Sequence, residues 1–253
     1  MFKLFYKHWA MMPISEGSSM SKEVAKKETT TAMQAYTQAD LADWGAPQID
    51  AKDIVIPRIN LAQQMSELVI AGKAKMGEYY DSSSMTVLGG LGKPLDVIPF
   101  MLDQVWVIQK RVGKKFEYEK TEAVTPSNKD LPWEFVEEGV EKKRVYTRNF
   151  FCIVEGVTLP CIVSFQSSSA KAGKELATIM FAENKLNNLP PSAYHVNIDS
   201  KMVSNDDGTY AVKTIVKGKQ STREEVAKTL EWFKTFKTEA PKIDTTGALH
   251  AEF

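Results

Sequence analysis

Arg144, Tyr146, Arg148 and Phe150 stand at every second position of RVYTRNFFCIV, residues 144–154. On a strand, alternate side chains leave by opposite faces, so these four share one surface while Val145, Thr147, Phe151 and Ile153 share the other. Two guanidinium groups interleaved with two rings do not suit a dry core, where an unpaired charge is costly. A plain solvated face gains little from the rings. A chain of phosphates and stackable bases uses both, because cations meet phosphate and each stacked base contributes about 1–3 kcal/mol whatever its identity. The same residue types recur nearby: Trp106, Lys110 and Arg111 close the preceding apolar run, and Lys114, Lys115, Phe116 and Tyr118 follow it. These seven join Arg144, Tyr146, Arg148 and Phe150 as candidate contacts to nucleic acid. In SSSAKAGKE (167–175), Lys171 and Lys174 flank the start of a helix whose free N–H groups could hold a phosphate. The other reading is a capped helix with solvated lysines; the spacing is not that of a nucleotide-binding P-loop.

Other chemistries find little material. The three histidines, His8, His195 and His250, are scattered along the chain, and no GxSxG, HExxH or paired CxxC occurs, so no enzyme activity, metal or cofactor is expected. GGLG (89–92) reads as a turn. The carboxylates of 116–141 could feed a two-metal nuclease, but a charge run of this kind reads first as a solvated excursion. Cys152 and Cys161 flank an expected hairpin and read as reduced core thiols, with a cross-strand bridge as the other reading.

Charge supports the polyanion reading through its distribution. The 253 residues carry 32 Lys+Arg and 32 Asp+Glu, so the total gives no signal. Residues 142–220 hold eleven Lys/Arg against six Asp/Glu, net +5, and residues 116–141 hold two against eight, net −6. The N-terminal MFKLFYKHWAMMPIS lacks the apolar stretch of a signal peptide, and no run reaches the roughly 18 apolar residues of a membrane span, so no membrane partner is expected. Met20 opens a second, more usual start, MSKEVAKKE.

The elements that must position these residues follow from pattern. Residues 1–50, polar and aperiodic, read as a flexible arm, 51–237 as the folded domain and 238–253 as a flexible tail. IVIPRINLAQ (54–63) reads as a strand interrupted at Pro57, 71–83 as a loop or short hairpin, and 94–112 as a long strand bent at Pro99. Residues 113–143 read as a long charged loop. Strands at 144–155 and 157–166 meet at Glu155–Gly156, and a helix over 169–184 places Ala172, Leu176, Ile179 and Met180 on one stripe. Strands at 193–203 and 209–218 turn at Asp207–Gly208. Ser221 and Glu224 read as a capping box opening a final helix to Lys237, with Val226, Leu230 and Phe233 on its packed stripe. The class is mainly β with two helices. The order predicts a five-stranded Greek-key barrel of the OB-fold type, with a helix between strands three and four and a second helix at the C-terminal end.

IPRINLAQQMSELVIAGKAKMGEYY, LPCIVSFQSSSAKAGKELATIM, the Asp-Gly hairpin and the closing helix together resemble phage-encoded OB-fold single-stranded DNA-binding proteins over roughly residues 50–237. The resemblance implies a protein of phage DNA replication and recombination that coats single strands without sequence preference, in the cytoplasm of the infected host. The closing Glu252-Phe253 resembles the protein-docking tips of such binders, which implies recruitment of replication or recombination partners. The N-terminal arm and the weakly acidic tail depart from that pattern. A protein-interaction or virion structural module and a DNA-processing nuclease stay open as alternatives.

Overall fold

The computed structural model describes residues 55–206, 208–238 and 242–243. In chain order they form β1 (Val55–Ile56), β2 (Arg58–Leu61), α1 (Glu67–Ile70), β3 (Glu78–Asp81), β4 (Val87–Gly90), β5 (Leu95–Val112), β6 (Lys115–Ala123), β7 (Glu134–Glu137), β8 (Val140–Val154) and β9 (Cys161–Phe165). There follow α2 (Ala170–Ala177), β10 (Tyr194–Asn205), β11 (Gly208–Gln220), α3 (Arg223–Thr238) and β12 (Lys242–Ile243). A wide π turn over Thr178–Glu183 prolongs α2.

The protein is mainly β, as its strand pattern predicts, but the sheet is larger and more open than a five-stranded barrel. Ten strands join in the order β11-β10-β5-β8-β9-β2-β3-β4, with β6 on the outer end of β5 and β7 on the outer end of β8. Within it, β10-β5-β8-β9 is a Greek key, three antiparallel neighbours and a fourth strand returning beside the first, with α2 between the third and fourth. Among the described residues no ladder joins β4 to β11. Side chains bridge the gap instead. The Gln63 amide donates to the Ala211 carbonyl at 2.9 Å and accepts from its N–H at 3.0 Å, occupying the outer edge of β11 as a strand would. Tyr79 donates to the Asp199 carbonyl at 2.8 Å, and the Leu91 N–H reaches Ser200 Oγ at 3.1 Å.

Burial on both faces explains why FFCIV at 150–154 is an unbroken apolar run. Phe150, Cys152 and Val154 enter the main core with Tyr79, Val163, Phe165, Leu176 and Ile198. Phe151 enters a second core on the opposite face, where Phe236 of α3 packs on Phe100, Phe151 and Ile162. Cys152 and Cys161 face each other in register as free, buried thiols; burial holds Cys152 well above the usual thiol range and pushes Cys161 up to about 12. Gly173 of α2 is required by closeness, since a Cβ there would stand 2.6 Å from Phe165 Cβ. The bend expected at Pro99 is present: the β5–β8 register slips between Pro99 and Met101, turning Phe100 into the second core.

Four local expectations are corrected. Residues 113–143 are not a loop: β6 turns back on β5 through Gly113–Lys114, and β7 turns into β8 through Glu138 and Gly139, both at positive φ as a two-residue type I′ hairpin requires. Their Lys/Glu-rich sequence hid them, because both faces are largely wet. A third helical turn, α1, precedes β3. The capping box sits one residue later than expected, with Thr222 Oγ1 accepting from the Glu225 N–H at 3.2 Å and the Glu225 carboxylate accepting from the Thr222 N–H at 2.7 Å. The packed stripe of α3 is accordingly Thr229, Trp232, Phe233 and Phe236, and Leu230 is exposed. In the segment expected to be a tail, Lys242–Ile243 pair in parallel with Val55–Ile56.

Glu225 also meets the buried His195, whose Nδ1 lies 2.7 Å from Asp96 of β5. The Thr222 N–H first, then His195 and the Thr222 hydroxyl, hold the Glu225 carboxyl below its ordinary value. A carboxylate depressed in the folded state stabilises fully above its unfolded pKa and loses that contribution as pH falls through the folded value. Glu225→Gln should therefore melt below the wild type at neutral pH, and the gap should narrow as pH falls below the ordinary glutamate value of about 4.3. Thermal melts of both proteins across pH check this; a pH-independent gap would contradict it.

Candidate functional site

A groove of about 960 Å³ runs along the odd-numbered face of β8. Val105, Val107 and Gln109 of β5 pair with Thr147, Val145 and Lys143 of β8 to make its floor. One wall comes from Arg58, Asn60 and Tyr80, and another from Lys115, Phe116 and Thr121 of β6. Tyr210 and Lys213 of β11, with Ser167 and Ser168 before α2, complete the rim. Four cations, Arg58, Lys115, Lys143 and Lys213, thus face one lining carboxylate, Glu117. Three rings, Tyr80, Phe116 and Tyr210, stand among them.

Internal bonds fix the polar floor. Arg58 Nη1 donates to Ser164 Oγ at 2.6 Å, and Ser164 donates to Asn149 Oδ1 at 2.7 Å. Thr147 donates to Gln166 Oε1 at 3.0 Å. Asn149 and Thr147 are each 2% exposed, so a ligand would meet a pre-set surface rather than mobile side chains. Phe116 lies between the Arg111 guanidinium, 5.8 Å from the ring centre, and the Lys143 ammonium at 5.9 Å. Cations beside a ring that lines an open groove suit a stacked base flanked by phosphates.

Of the residues singled out in the sequence, Lys115 and Phe116 line this groove. Tyr118 pairs with Gln109 on β5, bonding Thr121 at 3.3 Å. Arg111 is tied to Glu141 at 2.6 Å, and Lys110 and Lys114 are exposed near the β5–β6 turn. The face carrying Arg144, Tyr146 and Arg148 points the other way. There Trp106, 5% exposed, meets Tyr146 edge-on at 5.3 Å, Arg148 lies 4.6 Å over Tyr146, and Arg144 lies 3.7 Å over Phe135. Phe150 is wholly inside the main core, against Phe165. Lys171 and Lys174 are exposed on α2 and are not among the residues that line the groove. Glu252 and Phe253 lie outside the described residues. Sequence reasoning missed Arg58, Lys143, Lys213, Tyr80 and Tyr210; the signal available for β8 was Lys143, Thr147 and Asn149 on its odd-numbered face, and no local pattern marked the other four.

The family model described as Pam3 phage gp34-like protein matches residues 25–238. The chain belongs to that family. No curated protein and no solved structure matches it. As a Pam3 phage gp34-like protein it is a phage protein, as the resemblance implied at that level. Among the described residues of this gp34-like chain, no helix is long and apolar enough to cross a membrane, and no three His, Cys, Asp or Glu side chains gather as a metal site would need.

Proposed function

We propose that this protein binds single-stranded DNA without sequence preference, along the β5–β8 groove, in phage DNA replication and recombination. The observation that carries the reading is the groove's composition: four cations against one carboxylate, with three rings between them. Stacking on Phe116, Tyr80 and Tyr210 needs unpaired bases and accepts any of them. The Greek key with α2 between its third and fourth strands supports an OB-type ancestry, with β2–β4, β6 and β7 as additions to five barrel strands. Binding on this sheet accords with OB modules generally, in which the barrel face and neighbouring loops hold oligonucleotides. Partner recruitment through Glu252 and Phe253 and action in the host cytoplasm belong to the same reading.

A fluorescence titration of the full chain with an oligo-dT, the matching duplex and poly-U tests it. The oligo-dT should bind tightest and the duplex at least tenfold more weakly. Equal binding of duplex and single strand, or no binding at low salt, would overturn the reading and favour a protein-interaction module.

A further inference from the structure

The opposite face of β8 carries a second cationic ladder, Lys142, Arg144, Tyr146 and Arg148; the acidic segment before β8 covers its Lys142–Arg144 end, and Arg148 packs beside Gly173 of α2. Lys142 is held by Glu119 at 2.8 Å and Glu137 at 2.6 Å. Arg144 is capped by the Phe135 ring and by the Pro132 carbonyl, which accepts from Nη1 at 3.0 Å. Trp106, packed on Tyr146, donates to Asn128 Oδ1 at 3.3 Å. The loop leading into β7, with the Phe135 ring of β7, therefore lies over Trp106 and Arg144 as a flap, while the β7 backbone pairs edge to edge with β8.

The cover is incomplete. Arg144 Nε and Arg148 Nη1 are buried with no hydrogen-bond partner. A desolvated guanidinium nitrogen without an acceptor is costly, and a phosphate oxygen would relieve that cost. The flap adds little to any core: Trp133 and Val136 are 72% and 67% exposed, and its backbone tie to β8 is the four-residue β7 ladder and the Arg144 N–H bond to the Trp133 carbonyl. Segments with few buried apolar contacts open at a fraction of the global unfolding free energy. Carboxylates stand against Lys142 and a ring against Arg144, the two kinds of group that a polynucleotide would present.

We propose that this ladder is a second binding surface for single-stranded nucleic acid, occluded in the present conformation by the acidic flap. The inference rests on the groove reading for its ligand class, and the test separates the two. Phe135→Ala/Glu137→Gln removes the covering ring and one carboxylate; replacing 125–132 by a Gly/Ser linker removes the loop and serves as the second variant should the first fail to fold. Anisotropy with a labelled oligo-dT should show three- to tenfold tighter binding in a folded flap variant. Adding Arg144→Gln should abolish the gain, and adding Lys228→Gln on α3 should leave it. No tightening in a folded flap variant, or a gain that survives Arg144→Gln, overturns the inference. If the wild type binds through the groove and flap variants bind no tighter, the groove reading stands and this one falls. If only flap variants bind, with Arg144 dependence, this one stands and the groove reading falls.

Discussion

Replacing Lys115, Phe116 and Lys143 with Ala should remove most of the affinity for single-stranded DNA while leaving the fold intact. Phe116 is the only one of the three with a stacking surface, and its loss alone should cost about 1–3 kcal/mol. The two lysines act through phosphate. Their loss should weaken binding about equally across sequences and flatten the dependence of log K on log salt by roughly 1.4, at about 0.7 per single-strand phosphate contact. Lys115 and the half-buried Phe116 lie on a partly wet edge strand, and Lys143 keeps its stem on the sheet, so unfolding should not confound the measurement. Unchanged affinity in a folded triple variant would take the β6 wall out of the site.

Phe150→Ala should destabilise the protein by about 3–5 kcal/mol. The ring is 0% exposed, meets Phe165 edge-on at 5.4 Å, and sits where β5, β8, β9 and α2 converge. The tight contact of α2 at Gly173 on Phe165 leaves little room for the helix to settle into the space left behind. Phe181→Ala, at a ring 41% exposed beyond the end of α2, should cost under about 0.5 kcal/mol. Urea unfolding of the two variants beside the wild type makes the comparison. A loss below about 1 kcal/mol for Phe150→Ala would mean that the interior repacks freely.

Much of the strand framework was legible from pattern, because β-branched and aromatic runs bounded by Gly and Pro leave few alternatives. The bent β5, the β10–β11 hairpin and the interruption at Pro57 are all present where the sequence placed them. The Lys/Glu-rich β6 and β7 were hard to read, since the one apolar alternation, Phe116 and Tyr118 in β6, is short and only half-buried, and both strands are held by their partners' ladders. The face of the site was the harder problem. Alternation in β8 showed that Arg144, Tyr146 and Arg148 share a side, yet which side is open depends on residues far away in sequence. The flap supplies Asn128, Pro132 and Phe135 to one face, while β2 and β11 bring Arg58, Tyr210 and Lys213 to the other. Phe150 illustrates the same point within one strand: it lies on the face of Tyr146, but four residues further along that face has passed into the core.

The most direct test of single-strand binding in the groove is the salt dependence of oligo-dT affinity for the full chain. Lys115 and Lys143 on phosphate predict a slope of log K against log salt at least as steep as roughly −1.4. The slope should shrink in the Lys115→Ala/Lys143→Ala protein. Binding that is flat in salt, or whose slope is the same in that variant, would contradict a polynucleotide held along these residues.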